Sequence, residues 1–174
     1  MVLQETYEIE DCHYWSTGIN SDVSNWIKTG NISVTSGNDG ITITESGSNE
    51  RLTFPLSEVT GDSVFEVEFV SGNIKSIGIG IYQTNNQAIG WVSVNEWTMN
   101  LFSHMGTSNV VPSQHKTLVT GDKLRIVYQN GVLKSYVNDE LIESVNKSLS
   151  SYRFGFYSAW DYKQTIKNIK IKAL

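Results

Sequence analysis

Apolar and polar residues alternate along most of the chain with a period of two, the spacing of a strand that buries one face. From Lys123 to Gln129, Leu124, Ile126 and Tyr128 share one face while Lys123, Arg125 and Gln129 share the other. From Ser63 to Val70, Val64, Glu66 and Glu68 point one way and Phe65, Val67 and Phe69 the other. Ile32 and Val34 alternate with Ser33 and Thr35. Ser76-Ile-Gly-Ile-Gly-Ile-Tyr82 puts Ile77, Ile79 and Ile81 inward and leaves Gly78 and Gly80 bare on the opposite face. Turn residues separate the runs. Asn130-Gly131 fits a two-residue hairpin, whose central residues both need φ > 0. Asn138-Asp139 is a weaker form of that signal, Asn38-Asp39-Gly40 a strong turn, and Asn85-Asn86 another. No run keeps a 3.6-residue period between caps, so no helix of useful length is expected. The pattern predicts an all-β chain of antiparallel strands.

The closing half is the most regular part. Gly121-Asp122 opens a strand that ends at the Asn130-Gly131 hairpin, and the next strand ends at Asn138-Asp139. A short return strand follows, then the aromatic-Gly-aromatic run Tyr152-Arg-Phe-Gly-Phe-Tyr157, then Ile166-Lys-Asn-Ile-Lys-Ile171. This order resembles the concanavalin A-like lectin/glucanase jelly roll, a pattern shared by laminin-G-like and carbohydrate-binding modules. The resemblance spans Asn25 to Leu174. It implies an antiparallel β-sandwich, with residues 20–174 as one domain and residues 1–19 as an N-terminal edge strand or linker segment. A length of 174 residues suits a single sandwich.

Composition narrows the partners. Charged residues make up 18%, below the roughly 25% of an average globular domain, and Ser, Thr, Asn and Gly fill the gap. Such a surface is neutral but rich in hydrogen-bonding groups. The formal net charge of -5 provides no basic stripe to displace phosphate counterions, which argues against nucleic acid. Lys163, Lys167, Lys170 and Lys172 read as a solvated strand face. No apolar run approaches the roughly 20 residues of a membrane-spanning helix. Cys12 is the single cysteine, so no internal disulfide is available, and Cys12-His13 lacks a second pair at metal-ligand spacing. No basic stretch followed by an apolar one marks a signal peptide. The expected location is extracellular or virion-associated: a phage structural protein leaves the cell by lysis, and a fragment of a larger secreted protein would look the same.

Candidate chemistry points to binding. Glu66 and Glu68 share a strand face, but Glu-Val-Glu lacks the third carboxylate and central Asp of the related glucanases, and reads as solvent-facing charge. None of His13, His104 and His115 lies near both a nucleophile signature and an acid. Gly78-Ile-Gly80 is no phosphate loop, since a strand surrounds it. It marks close approach by a ligand, or room for a bulky aromatic from an adjacent strand, and the second reading is favoured. Trp91 and Trp97 are good platforms for the apolar face of a pyranose, and equally good core residues. In the loop after Tyr157, Trp160 and Tyr162 can stack on a sugar while Asp161 accepts hydroxyl hydrogen bonds. The candidate ligand contacts are therefore Trp160, Asp161, Tyr162, Trp97, Trp91 and Tyr157.

No cofactor is expected, although the fold class allows a structural calcium to which Asp11, Asp39 and Asp161 would contribute. The resulting expectation is a non-catalytic carbohydrate-binding or receptor-recognition module. It looks like the domains on phage tail fibres and baseplates, where it would meet other subunits or copies of itself. One alternative is a structural interaction module without a sugar site. Another is a glycan-active hydrolase, which needs two carboxylates roughly 5 to 9.5 Å apart.

Overall fold

The computed structural model describes residues 27–28, 31–45, 51–53, 59–72, 78–95, 100–115, 117–157 and 162–174. The N-terminal segment 1–19 lies outside them. The strands in chain order are β1 (Ile27–Lys28), β2 (Ile32–Gly37), β3 (Gly40–Glu45), β4 (Arg51–Thr53), β5 (Ser63–Gly72), β6 (Gly78–Tyr82) and β7 (Ala88–Val94). They continue with β8 (Leu101–His104), β9 (Lys123–Gln129), β10 (Val132–Val137), β11 (Glu140–Asn146), β12 (Arg153–Tyr157) and β13 (Tyr162–Ala173). They form two antiparallel sheets: a six-stranded one in the order β1-β4-β12-β6-β7-β8 and a seven-stranded one in the order β11-β10-β9-β5-β13-β3-β2. The architecture is an antiparallel β-sandwich: its antiparallel strands follow the alternation, and its two packed sheets are what the jelly-roll resemblance implies.

The core lies between the sheets and is built from the odd-even pattern read above. Phe65, Val67 and Phe69 of β5 and Leu124 and Ile126 of β9 face Ile79 and Ile81 of β6, Val92 of β7, and Phe154 and Phe156 of β12. Phe65 meets Phe154 at 5.1 Å and Phe156 at 6.0 Å between ring centroids, in tilted and edge-on geometries. Both favour ring quadrupoles over face-to-face overlap. Turns follow their chemistry. Asn130 and Gly131 adopt φ of 51° and 75°, as the two-residue hairpin requires. Tyr152 donates to the Gly61 carbonyl and also bonds Ser63, and burial pushes its phenol up to about 12.

Two features depart from simple alternation. In β13 the register shifts between Lys167 and Lys170, and Asn168 takes φ 50°. This bulge inserts one residue and flips the parity of the rest of the strand. As a result Ile166 and Ile169 are both buried, while Lys163, Lys167, Lys170 and Lys172 all fall on the outward face. The second departure is Glu66, read as solvent-facing but only 3% exposed. Its carboxylate accepts from Arg125 Nε at 2.7 Å and lies 3.5 Å from Lys170 Nζ. Glu68 pairs with Lys167 at 3.1 Å and accepts from Asn168 Nδ2 at 2.7 Å. These carboxylates hold the outer face of the seven-stranded sheet together.

The long connection after β8 is fastened by two more carboxylates from β11. Glu143 accepts from Ser103 Oγ and from the amides of Met105 and Gly106. Glu140 accepts from Ser113 Oγ and from the amides of Ser113, Gln114 and His115. Partial burial pushes the Glu140 carboxyl up, but the bonds from Ser113, His115 and Gln114 outweigh this and hold it at about 2, against an ordinary 4.5. A depressed folded-state value stabilises the fold above the unfolded value and loses that contribution as pH falls through the folded one. Glu140→Gln is therefore expected to lower Tm near neutrality, with the gap to wild type closing between about pH 4.5 and about pH 2. Thermal unfolding followed across that window checks this. A constant gap would mean the neutral acid is held equally well.

Candidate ligand-binding face

Residues paired across antiparallel strands share a face. On the outer face of the six-stranded sheet the register forms one row of Gly155, Gly80, Trp91 and His104, with Thr53 as the β4 register partner of Gly155. A second row holds Tyr157, Gly78, Ser93 and Phe102, with Arg51 as the β4 register partner of Tyr157. A third places Arg153 beside Tyr82 and Ala88.

Trp91 is the centre of this face. His104, on the neighbouring strand, stacks on it with centroids 4.5 Å apart and planes 15° apart. Tyr157 stacks on the side towards β12 at 4.8 Å and 3°. The first spacing is that of adjacent strands, roughly 4.8 Å, so those rings stand side by side. Tyr157 and Trp91 are two strands apart and meet only by crossing β6. They can do so because Gly78 and Gly80 put no side chain in the way. The glycines thus make room for aromatic neighbours. Tyr82 takes part too: its ring lies against Gly80, where an added Cβ would stand 2.7 Å from its hydroxyl, and that hydroxyl donates to the Phe156 carbonyl. His104 is oriented by a 2.8 Å bond between Nδ1 and Asn109 Oδ1.

Two donors on this face have unspent capacity. Trp91 Nε1 and Arg153 Nε are buried and meet no hydrogen-bond partner. Burying such groups unpaired is costly, so each marks a place where an acceptor would be favoured. The charge pattern is one-sided as well. The six strands of this sheet contain Lys28, Arg51, Arg153 and His104, but no Asp or Glu. A cleft of about 450 Å³ opens beyond Ala88, between the β6–β7 turn and the segment before β12. Gln83, Thr84, Lys147, Ser148 and Ser150 contribute to its lining, and Lys147 Nζ donates to the Ile89 carbonyl at 3.3 Å.

Of the six residues singled out from sequence, Trp91 and Tyr157 come together here. Tyr162 opens β13 at the register position of Glu45, on the other sheet, and its side chain lies outside the description. Trp97, Trp160 and Asp161 lie outside the described residues. His104 and Arg153 were not singled out as ligand contacts, because only the strand order brings them to Trp91 and Tyr157. Among the described residues no group of three or more His, Cys, Asp or Glu could hold a metal ion. Of the calcium candidates, Asp39 sits in the exposed β2–β3 turn, and Asp11 and Asp161 lie outside the description.

These sheets and connections define a jelly-roll β-sandwich whose six-stranded sheet carries a concentrated aromatic face. No protein-family model matches the chain, and no curated protein matches it by sequence. Solved structures do share its fold. The carbohydrate-binding module CBM66 from Bacillus subtilis superposes with a TM-score of 0.60 at 16% identity, covering 86% of this chain and 96% of its own. The carbohydrate recognition domain of Emp46p, in a metal-free form, gives 0.60 at 10% identity, covering 91% and 93%. Alginate lyase AlgAT5, from polysaccharide lyase family 7, gives 0.63 at 14% identity, covering 83% and 82%. At these identities the likeness establishes the fold, and lectin-type and glycan-active proteins both use it.

Proposed function

We propose that this chain is a non-catalytic carbohydrate-binding module and that sugar docks on the outer face of its six-stranded sheet. The observation that carries the reading is the Tyr157–Trp91–His104 stack, whose central indole has an unspent N–H donor. Aromatic surface with a polar handle suits a pyranose, which offers an apolar C–H face and a rim of hydroxyls. The recognition proteins among the structural neighbours support the same reading. A binding role also suits strands that supply no carboxylate to this face for proton transfer. Single sites of this kind bind weakly, and display of several copies on a surface assembly such as a phage tail multiplies them through avidity. The neutral, hydroxyl-rich composition fits that setting.

A glycan array probed with the wild-type domain and with Tyr157→Ala tests the proposal. Wild type is expected to bind a restricted set of glycans, and Tyr157→Ala to bind them about tenfold more weakly, because one stacking surface is gone. Both proteins should unfold cooperatively. A blank array with folded wild-type protein would sink the reading and favour an interaction module without a sugar site.

A further inference from the structure

We infer that the saccharide held on this face is anionic, with its carboxylate or sulfate placed against Arg153. The inference rests on the carbohydrate reading above and adds the ligand's charge to it. Three observations converge. First, on the seven-stranded sheet Arg125, Lys167 and Lys170 are each held by Glu66 or Glu68. Arg153 has no carboxylate partner among the described residues. Its Nε is buried and unpaired, and its Nη1 meets Asn86 Oδ1 at the long distance of 3.4 Å. Second, the strands of the six-stranded sheet carry no acidic residue, although the whole chain has a net charge of -5. Excluding acids from one sheet of an acidic protein removes the groups that would repel an anion. Third, the register partner of Tyr157 on β4 is Arg51, a second arginine among the strands of this sheet.

The geometry sets the size of the ligand. Arg153 and Tyr157 lie four residues apart on β12, roughly 13 Å at about 3.3 Å per residue. A ligand that lies across the edges of the Trp91 and Tyr157 rings while reaching Arg153 is therefore an oligosaccharide. A guanidinium suits the task because its planar fork matches two oxygens of a carboxylate or sulfate at once.

Affinity electrophoresis with four polymers tests this: polygalacturonate, its methyl ester, dextran sulfate and dextran. The wild-type domain is expected to be retarded by at least one acidic polymer and not by the two neutral ones. Retardation by polygalacturonate alone identifies a carboxylate ligand, and by dextran sulfate alone a sulfate. Raising salt from about 50 to about 300 mM should weaken it, since exposed charges are screened within a shorter Debye length. Arg153→Gln should reduce binding about tenfold or more, because it removes the charged fork that meets the anion. Lys163→Gln makes the same change in net charge on the exposed face of the other sheet and should have no effect. Equal binding of acidic and neutral polymers, or equal loss in both variants, overturns the anionic assignment and leaves the carbohydrate reading standing. No retardation by any polymer, combined with array hits confined to neutral glycans, also overturns it. A blank array as well removes both.

Discussion

Trp91→Ala is expected to weaken glycan binding about thirtyfold and to leave a folded domain. The size follows from position. Trp91 is the middle ring of three, flanked by Tyr157 at 4.8 Å and His104 at 4.5 Å, so its removal takes away the largest surface and unseats both neighbours. A central aromatic in a binding face is worth about 2 kcal/mol or more on truncation, and each 1.4 kcal/mol is a factor of ten in affinity. The fold should tolerate the change because Trp91 points away from the core. Val92, its neighbour in sequence, points inward and is fully buried. Two aromatic contacts are lost, which costs on the order of 2 kcal/mol of stability. Trp91→Phe divides the effect: it keeps a ring for stacking and removes the Nε1 donor that lacks a partner. Titration calorimetry against the strongest array glycan, alongside thermal unfolding, reads both quantities. Wild-type affinity in a folded Trp91→Ala protein would place the site elsewhere on the molecule.

Much of the sandwich was legible because alternation survives in nearly every strand. The faces of β5 and β9 are those the residue pattern assigns, and the Asn130-Gly131 hairpin has the backbone its side chains favour. What could not be read is whatever depends on strand order. Parity shows that Glu66 points away from the core, but not that Arg125 from β9 and Lys170 from β13 close over it. The bulge at Asn168 is local, yet one left-handed Asn inside a strand leaves no signature apart from the pattern it disrupts. The final strand shows this, since Ile166 and Ile169 share a face only once the extra residue is counted.

The binding face divides along the same line. Trp91 and Tyr157 stand out in sequence as aromatics within strand-forming runs. Their meeting needs β6 to lie between β12 and β7, and needs that strand to be bare on one side. Gly78-Ile-Gly80 is the local sign of that bareness, and the reading of it as space for an aromatic matches where Tyr157 and Tyr82 lie. His104 and Arg153 carry no such sign. Each is an ordinary strand residue until the register sets it beside Trp91 or Tyr82.

The two glycines also set the largest expected change in stability. Gly78→Ala should destabilise the domain by about 3 kcal/mol, at the upper end for forcing one methyl into a packed site. In a protein of this size that corresponds to a fall in Tm of roughly 10 °C. The reason is what the new Cβ meets: the Val92 carbonyl oxygen at 2.2 Å, then Ser93 Cβ at 2.7 Å and Ser93 Cα at 2.8 Å. Two of these atoms belong to the main chain of β7, so β7 itself must retreat from β6 and strain the ladder that sets Trp91 against Tyr157. At Gly80 the same methyl would meet the Tyr82 ring, with its hydroxyl at 2.7 Å and Cζ at 2.9 Å. A side chain yields more easily than a strand, although the Tyr82 hydroxyl gives up its bond to Phe156 in moving. Gly80→Ala should therefore cost only about 1 kcal/mol. Without a clash both substitutions would stabilise slightly, by restricting the unfolded chain. The order of the two Tm values is the discriminating result. Gly78→Ala well below Gly80→Ala would show that close strand contact at Gly78 holds the aromatic face in place. Equal or raised values would mean that β6 and β7 can separate by the width of a methyl group without loss.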